Sequence, residues 1–134
     1  MNEQKTITML NQLNNLKLQK AKGRYCTYDA EDKIHIVEIK NRKSYYATKL
    51  IEATKLFSNY QKAQLKNKLF IYIVTDTVGL YVFNITKNID TIINEGIRKN
   101  THPAQTEFKN KRKITKYYYA LREDLASFVH YFDA

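Results

Sequence analysis

The sequence predicts an α/β fold in which helices flank a mixed central β-sheet. Two segments, residues 4–20 and 47–66, carry apolar side chains at helical spacing. Two strongly apolar segments, KLFIYIVTD and GLYVFNIT, are joined through TDTVG, as expected for two strands and a turn. Because helical and strand patterns alternate along only 134 residues, we expect a single domain covering residues 1–134.

The first half of the chain predicts a helix, a hairpin and a second helix. In the first helix apolar residues recur every three positions, and Gly23 is placed to end it. The hairpin is RYCTYDAEDKIHIVEIKNR, whose two arms are rich in aromatic and β-branched residues and flank the polar cluster DAED. The second helix has an apolar stripe formed by Leu50, Ala53, Thr54, Phe57 and Tyr60.

The second half predicts a central strand and further elements around it. KLFIYIVTD is almost continuously apolar, which favours a strand covered on both faces. NIDTIINEG predicts a short helix capped by Asn88 and closed by Gly96. The polar residues 97–113 predict a loop, ITKYYYALR a last strand, and EDLASFVHYF a last helix.

Composition indicates a basic intracellular protein. The chain has 23 Lys and Arg against 13 Asp and Glu, a formal charge of +10. Such a charge attracts polyanions, so we expect a nucleic acid, DNA or RNA, as the partner and no membrane partner. A single cysteine excludes an internal disulfide, and no segment has the length of a membrane-spanning helix. The first residues lack the pattern of a signal peptide, and we expect a cytoplasmic protein.

The stretch KIHIVEIKNR contains the residues that point to chemistry. If it is a strand, Ile34, Ile36, Glu38 and Lys40 share one face, and His35, Val37 and Ile39 share the other. The strand is therefore apolar where it begins and charged on one face where it ends. A carboxylate there can hold Mg²⁺, and a lysine two residues away can orient water or offset charge on a phosphate. This pair predicts metal-assisted phosphodiester hydrolysis.

The order of these motifs resembles the PD-(D/E)XK nuclease superfamily. The similarity covers residues 24–125 and comprises the hairpin with an upstream Asp, VEIK, YYATKLIEATK, FIYIVTDTVGLYVFNI and KYYYALREDL. The pattern is similar to that of small phage and large-DNA-virus members of the superfamily. The resemblance implies a restriction-endonuclease-like core and a Mg²⁺- or Mn²⁺-dependent DNA endonuclease, in a bacterial host cell if the protein is phage-encoded. It also implies that the carbonyl of Ile39 joins Asp29 and Glu38 as metal ligands, with Lys40 assisting the attacking water.

The position of Asp29 leaves two alternatives open. If Glu31 and Asp32 form a tight turn, Asp29 faces Ile34, too far from Glu38 to share a metal ion. A bulge or bend after Tyr28 would bring Asp29 back towards Glu38. The chain is thus either an active nuclease that uses Asp29 or an inactive nuclease-fold protein that binds nucleic acid or a host protein.

Basic residues beyond the motif are the predicted contacts to the DNA backbone. They are Arg42, Lys43, Lys55, Lys109, Lys111, Arg112 and Lys113, and the basic stretch KNKRKITK, residues 109–116, is the strongest candidate among them. Because one small domain would cut one strand, cleavage of a duplex would require a homodimer.

Overall fold

A computed structural model describes residues 1–23, 26–103 and 113–133. Its helices are α1 (Glu3–Asn14), α2 (Ala53–Leu65) and α3 (Ile85–Asn94), with a 3-10 turn at Glu123–Leu125. Its strands are β1 (Gln19–Lys20), β2 (Ala30–Glu31), β3 (His35–Asn41), β4 (Thr48–Glu52), β5 (Leu69–Thr75), β6 (Gly79–Asn84), β7 (Ile97–Pro103), β8 (Lys113–Arg122) and β9 (Phe128–Tyr131).

In the described part of the chain, six strands form the main sheet in the order β1-β2-β3-β5-β6-β9. The pair β3–β5 is parallel, whereas the other neighbours are antiparallel, so the sheet is mixed as predicted. β4 and α2 form the crossover between β3 and β5. A second sheet has the order β4-β8-β7. The expected α/β architecture, a mixed sheet flanked by helices, is confirmed.

Two apolar clusters lie on opposite faces of the main sheet. One packs Leu56 of α2 and Ile92 of α3 against Phe70 of β5. The other packs Leu10 of α1 against Ile71 of the same strand. β5 is therefore covered on both faces, as its nearly continuous apolar sequence predicts.

The first helix is shorter than predicted. It begins after Asn2, whose side chain accepts a hydrogen bond from Lys5 N at 2.8 Å. It ends at Asn14 because Asn15 adopts the left-handed conformation, φ 53°. The predicted terminator, Gly23, lies well beyond the end of the helix.

Three further boundary predictions are wrong. The segment 47–66 is not one helix, because residues 48–52 form β4 and pair with β8. The last predicted helix is a 3-10 turn followed by β9, which pairs with β6. The predicted loop 97–113 begins with β7, which pairs with β8, while residues 104–112 lie outside the described residues.

The short third helix was predicted, although its cap was not. Asn84 rather than Asn88 caps it, accepting a hydrogen bond from Lys87 N at 3.0 Å. No helix within the described residues is long and apolar enough to cross a membrane.

Candidate functional site

The end of β3 carries the two charged residues of the motif on the predicted face. Ile36 of this face is fully buried in the cluster beneath α2, whereas Val37 and Ile39 are buried in the cluster beneath α1. The Glu38 side chain is only 13% exposed, and Lys40 is exposed. The strand therefore leads from the core to the surface between these two side chains.

Asp29 lies beside Glu38, and the predicted tight turn is wrong. The ladder of β2 and β3 pairs Ala30 with Val37 and Glu31 with Ile36, and Asp29 lies directly before β2. Asp29 N donates to the carbonyl of Val37 at 2.8 Å, and Asp29 Oδ2 accepts from Ile39 N at 2.7 Å. Asp29 therefore does not face Ile34. The bend at residues 27–29, with Asp29 and Ala30 both opposite Val37, brings Asp29 near Glu38, as the second alternative predicted.

The side chain of Asp32 accounts for this register. Its Oδ1 accepts hydrogen bonds from Ile34 N at 2.8 Å and from His35 N at 2.7 Å. An aspartate that accepts from the backbone two residues ahead forms a turn of its own. The turn thus lies later in the chain than predicted, and the whole ladder shifts with it.

Glu38 occupies an electrostatically unfavourable position for a carboxylate. Burial and then the negative charge of Asp29 raise the pKa of Glu38 from 4.5 to about 7, although Lys55 and Lys40 lower it. Lys55 Nζ lies 3.7 Å from Glu38 Oε1. Glu38 Oε2 is buried and has no hydrogen-bond partner among the described residues. This oxygen is therefore available to a further ligand.

Sequence reasoning missed a third carboxylate, that of Glu3. Burial, followed by the negative charge of the nearby Asp29, raises the pKa of Glu3. Glu3 opens α1, and its Oε1 lies 3.8 Å from Lys20 Nζ. The only sequence signal was an acid in the first turn of a helix, which is common for electrostatic reasons alone.

The carboxylates suit a divalent cation, but they do not form a complete cage. Hard cations such as Mg²⁺ prefer carboxylate and carbonyl oxygens and retain several waters. Glu38 Oε2 has no hydrogen-bond partner in the described part of the chain, and the negative charge of Asp29 repels the Glu38 carboxylate. A cation bound between the two carboxylates would offset this repulsion. Within residues 1–23, 26–103 and 113–133, no group of three or more His, Cys, Asp or Glu side chains is arranged to hold a metal ion. If a metal binds, Asp29, Glu38 and the carbonyl of Ile39 are the residues to hold it.

A cavity of about 360 Å³, here called the Glu38 cavity, opens beside these groups. Lys55 lines it and is 45% exposed, so this predicted phosphate contact is also the ion-pair partner of Glu38. The charged residues lining this cavity are Glu38, Lys40, Arg42, Glu52, Lys55 and Lys116. Lys116 is the last residue of the predicted basic stretch 109–116, and its Nζ lies 3.3 Å from Glu52 Oε1.

The other predicted backbone contacts lie elsewhere or outside the described residues. Lys43 is exposed on the segment that follows β3. Lys113 opens β8. Lys109, Lys111 and Arg112 lie outside the described residues. Of the predicted basic residues, the structure thus brings Arg42, Lys55 and Lys116 to one cavity.

Lys49 lies in the segment predicted as the second helix, but the structure places it on a strand. Its side chain is buried on β4, with Nζ 3.0 Å from Asp76 Oδ2 and 3.2 Å from Glu123 Oε1. Nζ also donates to the carbonyl of Tyr46 and lies over the ring of Tyr81, 4.1 Å from its centroid. A second cavity, of about 450 Å³ and here called the Tyr46 cavity, lies next to this ion pair.

Neither a protein-family model nor a curated protein matches the chain. The chemistry of the site therefore has to be argued from the side chains that the fold brings together.

Proposed function

We propose that the protein is a Mg²⁺-dependent DNA endonuclease with a restriction-endonuclease-like core. The observation that carries the proposal is the side-by-side placement of Asp29 and Glu38, with Lys40 on the same strand face as Glu38. The parallel pairing of β3 with β5 around the crossover of β4 and α2 supports the core assignment. The charge of +10 supports a polyanionic substrate.

Each residue of the site has a role that follows from its surroundings. The N–H of Ile39 donates to Asp29 Oδ2 and so holds the Asp29 carboxylate against β3, the strand that carries Glu38. Lys55 holds the Glu38 carboxylate on its α2 side. The exposed Lys40 ammonium group is placed to donate to a phosphate oxygen or to orient the attacking water. A bound Mg²⁺ or Mn²⁺ would supply polarisation of the phosphate and a lowered pKa of water.

A nicking assay tests this function. We expect the wild type to nick supercoiled plasmid or branched DNA with Mg²⁺ or Mn²⁺, and EDTA to stop the reaction. Asp29→Ala, Glu38→Ala and Lys40→Ala should each lower the rate by about 10²-fold or more, because each removes a group from the site. Lys87→Ala, on the exposed face of α3, removes the same charge elsewhere and should leave the rate unchanged.

The alternative is a nuclease-fold protein that binds nucleic acid or a host protein without cutting. One observation favours this alternative: among the residues that the structure describes, no three His, Cys, Asp or Glu side chains are arranged to hold a metal ion. A wild-type protein that binds DNA but nicks none of the substrates with either metal would establish this alternative. Cleavage that is equally fast in Glu38→Ala would show that a different site is responsible.

A further inference from the structure

The Tyr46 cavity adjoins the Glu38 cavity. Arg42, Leu50 and Tyr118 line both, so a ligand bound at one can continue into the other. The Tyr46 cavity is the larger of the two, about 450 Å³ against 360 Å³. A chain-like ligand whose phosphate lies beside Glu38 and Lys40 would thus extend along Arg42 into the Tyr46 cavity.

One exposed wall of this cavity is an aromatic ring on an anchored segment. Tyr46 is 63% exposed and precedes β4. Its carbonyl accepts a hydrogen bond from Lys49 Nζ, and Lys49 is itself held by the buried carboxylate of Asp76. The backbone at Tyr46 is therefore fixed by a buried ion pair, although the ring lies at the surface. An exposed ring on a fixed backbone loses little entropy when another flat group stacks on it.

The charges around the ring favour an anion. The charged residues that line the Tyr46 cavity are Arg42, Lys49, Asp76 and Arg98. Lys49 is paired with Asp76 at 3.0 Å, so these two charges offset each other. The exposed side chains of Arg42 and Arg98 therefore give the cavity a net positive charge. Ser44 and Thr48 add hydroxyl groups that can donate and accept hydrogen bonds. A flat apolar ring beside two guanidinium groups suits a ligand with an aromatic base and a phosphate.

We propose that the Tyr46 cavity binds an unpaired nucleotide next to the phosphate held in the Glu38 cavity. This inference rests on the proposed nuclease function and narrows its substrate. A base inside a duplex has both faces covered by its neighbours, so only an unpaired base can stack on Tyr46. The preferred substrate is therefore DNA with a single-stranded flap or overhang at the cleavage position rather than continuous duplex.

Binding without cleavage tests the inference. Fluorescence anisotropy in EDTA would compare the full chain on a blunt labelled duplex and on the same duplex with a single-stranded flap. We expect tighter binding of the flapped duplex. Tyr46→Ala should weaken flap binding roughly tenfold and leave blunt binding unchanged, because one stacked base is lost. Tyr46→Phe, which keeps the ring, should retain the wild-type preference.

Tyr117→Ala is the matched control. Tyr117 is 50% exposed and lies on β8 next to Tyr118, but it does not line the cavity. Its removal should change neither affinity. If Tyr46→Ala weakens both DNAs equally, or neither, the inference is overturned while the proposed nuclease function stands. If the wild type binds neither DNA at any concentration tested, both are overturned. Circular dichroism of each variant would show that the fold is intact.

Discussion

At the scale of single residues, the ionised carboxylate of Glu38 lowers the stability of the folded protein. Its carboxylate is mostly buried, one oxygen has no described partner, and the charge of Asp29 acts against its ionisation. Lys55 offsets this only in part, since it is half exposed and its Nζ is 3.7 Å away. A buried charge held against repulsion is typical of functional sites, where stability is lower than an apolar residue would allow.

The raised pKa of Glu38 makes stability depend on pH in a defined direction. Its pKa is about 7 in the folded protein against 4.5 without the fold. Below pH 4.5 both states hold the proton; as pH rises to 7, only the unfolded state releases it, so stability falls. Glu38→Gln cannot ionise, so in EDTA it should be more stable than the wild type by about 3 kcal/mol at pH 8 and equal to it at pH 4. Urea unfolding at both pH values measures this difference.

A second glutamate of the same cavity provides the comparison. Glu52 is paired with Lys116 at 3.3 Å, so Glu52→Gln removes an attraction and should not stabilise the protein at pH 8. If Glu38→Gln gains the same stability at pH 4 as at pH 8, the gain is not due to ionisation of Glu38, and the electrostatic account is wrong.

The residues of the site were predictable to different extents. The period-two pattern of a strand was sufficient to place Glu38 and Lys40 on one face. It was not sufficient for Asp29, because the register depends on where the turn lies, and the Asp32 side chain determines that through its own hydrogen bonds. Glu3 was beyond sequence reasoning, since its approach to Asp29 depends on how α1 packs on the sheet.

At the scale of elements, the main surprise is that β4 precedes α2 without a loop. The apolar spacing of residues 47–66 suits a helix, but residues 48–52 have backbone partners on β8, including Leu50 opposite Ala120. Partners distant in the chain thus override local propensity. The same holds for β9, which pairs with β6 where a helix was predicted. There, Gly79 is needed because a Cβ would lie 2.6 Å from the carbonyl oxygen of His130.

The buried lysine of β4 should be essential for joining the elements of this region. Lys49 is 3% exposed and links β4 to the β5–β6 turn through Asp76 and to the 3-10 turn through Glu123. Lys49→Met should destabilise the fold by about 3–5 kcal/mol, because it leaves the Asp76 carboxylate buried without its partner. Thermal and urea unfolding would measure the loss.

Two variants show whether the loss comes from the uncompensated charge. Lys49→Met combined with Asp76→Asn removes both charges but keeps the oxygen that accepts from Val78 N and Gly79 N, so it should recover part of the stability. Lys55→Met removes a lysine that is 45% exposed and should cost about 1 kcal/mol or less. A double variant that is no more stable than Lys49→Met would mean that packing, rather than charge, is what Lys49 provides.

At the scale of the whole molecule, part of the excess of basic residues lies around the two adjoining cavities. Lys40, Arg42, Lys55, Arg98 and Lys116 line the two adjoining cavities. The sequence predicted contacts at Arg42, Lys55 and the stretch 109–116, but not at Arg98, which reaches the cavities only through the pairing of β7 with β8. A basic surface of this kind binds a phosphate backbone and provides affinity without reading sequence.

This surface predicts a steep dependence of DNA binding on salt. If about four of these residues contact phosphates, the logarithm of the affinity should fall with the logarithm of salt concentration with a slope of roughly −3 to −4. Arg98→Ala and Lys116→Ala should each make the slope shallower by about one, whereas Lys87→Ala, on α3 away from both cavities, should leave it unchanged. Anisotropy titrations of the full chain over a series of salt concentrations measure all four slopes. A wild-type slope near zero would indicate that DNA is not the ligand of this surface, and would favour a protein partner instead.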